Sequence, residues 1–374
     1  MEKHISMAKE SKKIIYFLVS NDLQSDQRMQ RICTTLNQDF VPSLIGRKLS
    51  HSKKLQFSFS HSRIACIFNK GKLFYIELQL RFFFHLLRKP MHAICAVDTD
   101  TLLAAYALSF FKGIPLGYDA HELFVEVPEL EDRPISKSLW KKLEQIIIPR
   151  TKFRYTVCQS VADVLEQRYG LPFYVIRNVP YKIKIEKRND HTFDHKIIWY
   201  QGVLNVGRGL EESISALHLL PGWTLEIAGR GDLSEQLKEL AEKEGLVDRV
   251  TFHGHLNRIE MQERAKKAFI GLNLLHARSL NYYYSLANKF FDYVQTGLPQ
   301  LNMCFPEYQN HMKQHKVGIF IEKCTPDLIA GSILKLHADQ ALYQDIKNNI
   351  RSAAEEWIWE NEEQKLMQIY ETNV

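Results

Sequence analysis

Short apolar runs alternate with amphipathic stretches along most of the chain. Residues 14–19 are an unbroken run of β-branched, aromatic and aliphatic side chains between two lysines and Ser20, the pattern of a buried strand. Residues 26–36 are polar except at Met29, Ile32, Cys33 and Leu36, which is helical spacing. The same reading predicts strands at 40–45, 63–68, 92–97, 116–119, 155–158 and 174–176. Helices are expected at 102–111, broken by Gly113-Ile-Pro115, at 137–148, and at 161–169, stopping at Gly170. A second cycle begins after a polar stretch. It has strands at 197–202, 224–228, 249–252, 270–275, 299–303 and 317–321. Its helices are at 209–220, 234–244, 259–268 and 288–296, and two more finish the chain.

Strand–helix alternation twice over predicts an α/β protein with two parallel, doubly wound, Rossmann-like domains, each sheet covered on both faces. Ligands in such sheets lie beyond the carboxyl ends of the strands, so two of them facing each other imply a cleft. The expected division is 1–180 for a first domain, 181–196 for a linker with no apolar period, 197–355 for a second domain, and 356–374 for a terminal helix. The 374 residues suffice for two cores. At 45% hydrophobic and 25% charged, the composition excludes a largely disordered chain.

The net charge of +6 is uneven. Residues 1–180 hold 26 Lys and Arg against 17 Asp and Glu, whereas the remainder is slightly acidic. The first domain is therefore expected to meet something anionic. No apolar run approaches the ~20 residues of a membrane-spanning helix, and the polar start carries no apolar signal core, so a cytoplasmic location is expected. The six cysteines form no Cys-x-x-Cys pair, which argues against a zinc site and a disulfide framework.

Four clusters carry candidate chemistry. Tyr200-Gln-Gly-Val-Leu-Asn-Val-Gly-Arg-Gly-Leu-Glu211 follows a strand and opens a helix; Gly202, Gly207 and Gly209 bring backbone N–H groups close to a ligand, and Arg208 can fork two phosphate oxygens. It is neither a Walker A loop nor a dinucleotide fingerprint, and on pattern alone it reads as a phosphate cradle or as an ordinary strand–helix turn. Ala228-Gly-Arg-Gly231 and Gly254 are further glycine turns on successive strand ends. In Asn288-Lys-Phe-Phe-Asp-Tyr293, Lys289 and Asp292 share a helix face, either as a surface ion pair or as ligands of phosphate and of vicinal ribose hydroxyls. Tyr118-Asp-Ala-His-Glu122 packs Asp119, His121 and Glu122 at a strand end, either as a capped turn or as a reacting centre in which His121 donates to an oxygen or shuttles a proton. Finally, residues 73–88 set Phe74, Tyr75, Phe82, Phe83 and Phe84 among Lys72, Arg81, Arg88 and Lys89. This segment reads as a core helix with solvated ends, or as a helix lying on an anionic membrane surface.

Together these clusters resemble a group 1 glycosyltransferase of the GT-B fold, close to carbohydrate-enzyme family 4, and the resemblance spans nearly the whole chain. Ser20-Asn-Asp-Leu-x-x-Asp26-x-Arg28 resembles the loop bordering the acceptor side, which implies Asp26 and Arg28 there. Tyr118-Asp-Ala-His-Glu-Leu-Phe124 is similar to the family's Asp-x-His-Glu stretch, implying Asp119, His121 and Glu122 as catalytic. The loop from Gly202 to Gly209 resembles the donor-phosphate loop. Leu225-Glu-Ile-Ala-Gly-x-Gly231 and Val250-Thr-Phe-His-Gly254 resemble the next two strand ends. Ser285-Leu-Ala-Asn-Lys-Phe-Phe-Asp-Tyr293 with Gly297-Leu-Pro299 resembles the Pro-Asn-Lys-x-x-Glu-Tyr helix. Donor binding is thus implied for Gly207, Arg208, Gly209, Gly229, Gly231, His255, Asn288, Lys289 and Asp292. Trp357-x-Trp-Glu-x-x-Glu363 with Tyr370 resembles a terminal helix that crosses back onto the first domain. Asp292 stands where the family has Glu, Ala287 where Pro is usual, and Tyr284 where many relatives carry another Glu.

The resemblance implies transfer of a sugar from a nucleotide-diphosphate sugar to a glycan or lipid-linked acceptor in cell-surface polysaccharide synthesis. It implies retention of configuration, and neither metal nor resident cofactor. The rival readings are a nucleotide-sugar 2-epimerase and a non-catalytic nucleotide-sugar-binding partner subunit. Nucleic acid is not an expected partner, because the basic residues are scattered and no nucleic-acid module is present.

Overall fold

The computed structural model describes residues 12–24, 26–50, 52–183 and 193–374. Most of the linker expected at 181–196 lies outside the described residues. Among the described residues, thirteen strands form two sheets. The first contains β1 (Ile14–Leu18), β2 (Val41–Lys48), β3 (Ser60–Ala65), β4 (Ala93–Val97), β5 (Leu116–Ala120), β6 (Phe153–Thr156) and β7 (Tyr174–Val175). The second contains β8 (Ile197–Gln201), β9 (Thr224–Ala228), β10 (Val250–Gly254), β11 (Ile270–Asn273), β12 (Gln300–Met303) and β13 (Gly318–Ile321). The orders are β3-β2-β1-β4-β5-β6-β7 and β10-β9-β8-β11-β12-β13, with every neighbouring pair parallel. Both are Rossmann-like, and β1 and β4 at the centre of the first sheet carry only hydrophobic side chains because helices cover both faces. Strand order reverses between β1 and β4 and between β8 and β11, so each domain opens a crevice at that point.

Two strands are displaced from their expected places. β3 begins at Ser60, because Ile67 and Phe68 leave the sheet and donate their backbone N–H groups to the Glu77 carboxylate at 2.8–2.9 Å. β6 ends at Thr156, and Val157 and Cys158 lead into the helix Gln159–Tyr169. The aromatic segment is the helix Gly71–Leu86, which buries Phe74, Leu78, Phe82 and Leu86 at four-residue intervals. The core-helix reading accounts for that face alone. Leu73, Ile76, Leu80 and Phe84 stand exposed on the other side, near exposed Phe110 and Phe111 of the next helix, Thr99–Lys112.

The last helix, Trp359–Asn373, lies on the first domain. Tyr370 is fully buried there; its hydroxyl is 2.9 Å from that of Tyr155, and its ring packs against Phe17, Phe40 and Phe153. The Trp359 indole N–H donates to Thr35 Oγ1 at 2.8 Å, and Glu362, fully buried, pairs with Arg177 at 2.6 Å.

Candidate active site

The loop leaving β8 reaches the crevice of the second sheet. Gly209, with φ of 69°, starts the helix Leu210–Ala216. Gly229 follows β9 with φ of 146°, and a Cβ there would sit 1.8 Å from the Gly202 carbonyl oxygen. The two glycine loops thus pack backbone on backbone. The Gly229 and Gly231 N–H groups are spent inside the protein, on Gly254 O at 2.7 Å and Ser234 Oγ at 2.9 Å. Their backbone donors are therefore already engaged, and the two glycines fix how closely the loops pack beside the crevice. His255 is exposed just beyond β10.

Lys289 lies in the first turn of the helix Asn288–Gln295. Its Nζ is 3.8 Å from the centroid of the Tyr200 ring, and it is buried with no hydrogen-bond partner. Burial, and then the charge of Arg208, holds its pKa well below the usual lysine range. The Arg208 guanidinium lies over Tyr282 at 5.3 Å, and its Nε is likewise buried without a partner. Two basic side chains share one pocket, and among the described residues neither forms a salt bridge. Asp292, one turn beyond Lys289, accepts from Gln201 Nε2 at 3.1 Å. Burial pushes its carboxyl up to about 6, against the opposing charges of Arg258 and Arg31.

In the first domain, Asp119 ends β5 fully buried. Arg28 grips it in a fork: Nη2 donates to Oδ1 at 2.8 Å and Nε to Oδ2 at 3.1 Å. The Arg28 Nη1 donates to Ile176 O at 2.6 Å. Arg28 is therefore not an acceptor-facing residue, and Asp119 does not reach the cleft; a buried carboxylate in this sheet needs the guanidinium as counter-ion. Asp26 is engaged through one oxygen only, its Oδ2 being buried without a hydrogen-bond partner. It caps the helix Gln27–Leu36, accepting from Met29 N at 3.0 Å.

His121 joins this network. Its Nε2 is 3.1 Å from Asp119 Oδ2, and its Nδ1 is 3.8 Å from Asp98 Oδ2, too far for a hydrogen bond. Burial works against its charge, but Asp119 and Asp98 outweigh it and raise the imidazole to about 9. At neutral pH His121 is an imidazolium, a donor and not a proton acceptor. Asp98, at the end of β4, accepts the His121 N–H at 2.8 Å and is the one non-glycine with positive φ among the described residues.

Glu122 does not stand free beside His121. Its Oε2 accepts from Asn281 Nδ2 of the second domain at 2.8 Å, while Asn281 Oδ1 accepts from Leu123 N at 3.0 Å. Burial raises the Glu122 carboxyl, and Asn281, His121 and Arg208 oppose that rise. Asn178 Nδ2 bridges to Asn288 Oδ1 at 2.7 Å. The structure thus brings Glu122 and His121 of one domain to the same gap as Arg208, Lys289 and Asn288 of the other.

Sequence reading missed Asp98, Asn281 and Arg31, and gave Tyr200, the first residue of the glycine-loop cluster, no role. Asp98 had a signal, since it follows a predicted strand; the others are assembled only by tertiary packing. Tyr284 offers its carbonyl to the Cys158 thiol at 3.4 Å. Among the described residues one grouping has mixed metal-ligand chemistry: Glu212, His276 and Cys324.

Two Rossmann-like domains thus face each other across a gap, with Arg208 and Lys289 together on the side of the second. Residues 182–353, which make up most of the second domain, match the family model for glycosyl transferases group 1. No curated protein matches the sequence significantly. Sucrose-phosphate synthase from Thermosynechococcus elongatus superposes with a TM-score of 0.79 at 14% identity, covering 96% of this chain and 99% of that one. HepE of Anabaena, solved in complex with UDP-glucose, gives 0.74 at 14% identity over 96% of this chain and 100% of its own. WaaG, a glycosyltransferase involved in lipopolysaccharide biosynthesis, gives 0.68 at 15% identity over 95% and 99%. These likenesses place the fold as GT-B.

Proposed function

We propose that the chain transfers a sugar from a nucleoside-diphosphate sugar to a glycan or lipid-linked acceptor. The observation that carries this reading is the Lys289 amino group, buried over the Tyr200 ring without a hydrogen-bond partner and within reach of the Arg208 charge. A diphosphate supplies the charge both cations lack. As the glycosidic bond breaks, negative charge grows on the leaving diphosphate, and fixed cations stabilise that state more than the ground state. Asp292 accepts the ribose hydroxyls, with Asn288 beside it. His121 donates its Nδ1 proton to the sugar or to the reacting hydroxyl, and Asp119, held by Arg28, positions the ring. Glu122 acts through Asn281, holding the two domains in register.

By resemblance the reaction retains configuration, with neither metal nor resident cofactor in the chemistry, and serves cell-surface polysaccharide assembly. The exposed Leu73, Ile76, Leu80 and Phe84, rimmed by Lys72, Arg88 and Lys89, favour an anionic membrane surface as the place where a lipid-linked acceptor is met. Among the described residues no helix is long and apolar enough to cross a membrane. Calorimetry with nucleoside diphosphates tests the donor site: Arg208→Ala is expected to weaken binding by ~1.5–3 kcal/mol, the range for a hydrogen bond to a charged group. Unchanged affinity removes Arg208 from the site. Consumption of donor without acceptor, with release of an epimer, would instead favour the epimerase reading.

A further inference from the structure

Behind the donor loop, three side chains from separate segments converge. Glu212 lies on the helix that Gly209 starts, His276 lies just beyond β11, and Cys324 just beyond β13. His276 Nε2 is 2.9 Å from Glu212 Oε1. That nitrogen, a Glu212 carboxylate oxygen and Cys324 Sγ all lie within 4.8 Å of one another. Glu212 Oε2 is buried with no hydrogen-bond partner. Cys324 is buried and in no disulfide. Its sulfur packs so tightly on the loop that a Cβ at Gly209 would approach it to 2.6 Å. The His276 N–H also donates to Gly207 O at 2.8 Å, which fastens the cluster to the loop.

One nitrogen, one carboxylate oxygen and one thiol make a donor set for a borderline-soft divalent ion. Magnesium and calcium prefer oxygen throughout, whereas zinc accepts all three donors and is commonly held by three side chains with water in the fourth place. His276 is partly exposed, so a water can reach that fourth place. An ordinary histidine–glutamate hydrogen bond beside an inert thiol would explain one carboxylate oxygen but leave Oε2 orphaned.

We propose that Glu212, His276 and Cys324 form a binding site for a zinc-class divalent ion, which ties the ends of β11 and β13 to the helix that follows the donor loop. On binding, the Cys324 thiol gives its proton to solvent and coordinates as thiolate. The proton that Nε2 shares with Glu212 also leaves, to solvent or by exchange with solvent to Nδ1, so that His276 coordinates through the bare Nε2 of a neutral imidazole and its hydrogen bond to Glu212 is replaced by two bonds to the metal. None of the three residues has a part in the donor or acceptor chemistry above, so this site stands or falls separately from the proposed reaction.

The test uses the full chain, stripped with chelator and titrated with cobalt(II). One equivalent should bind, with tetrahedral ligand-field absorption and a thiolate-to-cobalt charge-transfer band, both abolished by zinc. Cys324→Ser should lose the charge-transfer band, and Glu212→Gln should weaken zinc binding at least tenfold. Zinc should raise the melting temperature of the native chain and not that of Cys324→Ser. Absence of the charge-transfer band from the native chain overturns the proposal, without reliance on any variant. So does a band that survives Cys324→Ser, which would assign it to another thiol such as the half-exposed Cys66 or Cys304.

Discussion

Lys289 is a lysine that the fold buries with no hydrogen-bond partner, its charge disfavoured by burial and by Arg208 until a counter-ion arrives. Such a group is a cost to the unliganded protein and a gain to the complex. Lys289→Met should therefore raise the stability of the unliganded chain by about 1–3 kcal/mol, the penalty of an unsatisfied buried polar group, while abolishing nucleoside-diphosphate binding. A melting curve and a titration of one sample read both effects; a variant that melts lower would show that the ammonium has a partner within the fold. His121 sets a pH limit of the opposite kind. Its pKa is raised to about 9, so the stabilisation from its charge is fully present below the ordinary histidine value and disappears as pH rises through about 9. Turnover should fall over the same alkaline window. A pH–rate profile should show that limb in the native chain and lose it in His121→Gln; an identical limb in both would assign it to another group.

Among the elements, the terminal helix carries much of the first domain's core. Tyr370 sits among Phe17, Phe40 and Phe153, and Tyr370→Ala should destabilise that domain by about 3–5 kcal/mol, as buried aromatic truncations do. Chemical denaturation would measure it, and a loss below 1 kcal/mol would mean that the helix merely rests on the sheet. Most strands were legible in the sequence because parallel strands buried on two faces are unbroken apolar runs, and the glycines after β8, β9 and β10 marked their ends. Arg28 was misread for a physical reason: its partner Asp119 lies on another strand, and no local pattern announces an ion pair formed in the core. The glutamate–histidine–cysteine cluster was invisible for the same reason, since spacing rules find metal ligands only when they sit close together in the chain. The aromatic helix has an exposed apolar face because its pattern supplies more hydrophobic positions than one buried stripe can use.

At the scale of the whole molecule, the two domains touch through a few polar contacts that frame the cleft. Asn281 bonds to Glu122 and Leu123, Asn178 to Asn288, and the Ser160 N–H to the Glu307 carboxylate, Glu307 being almost wholly buried. A protease site placed between residues 184 and 192 should, once cut, leave the two fragments eluting together, because Trp359 N bonds to Pro180 O at 2.8 Å and the last helix stays in the first domain's core. Separation of the fragments in size-exclusion chromatography would refute that.

The return of the chain end has a mechanical meaning. Lobes tethered by a single peptide can swivel about it in any direction; lobes tethered twice, by the peptide that enters the second and by the one that leaves it at Trp357, have lost that freedom and can rock only about the line joining the two tethers. The jaws then meet in the same alignment at every stroke, and the imidazolium of one arrives opposite the paired cations of the other without a search.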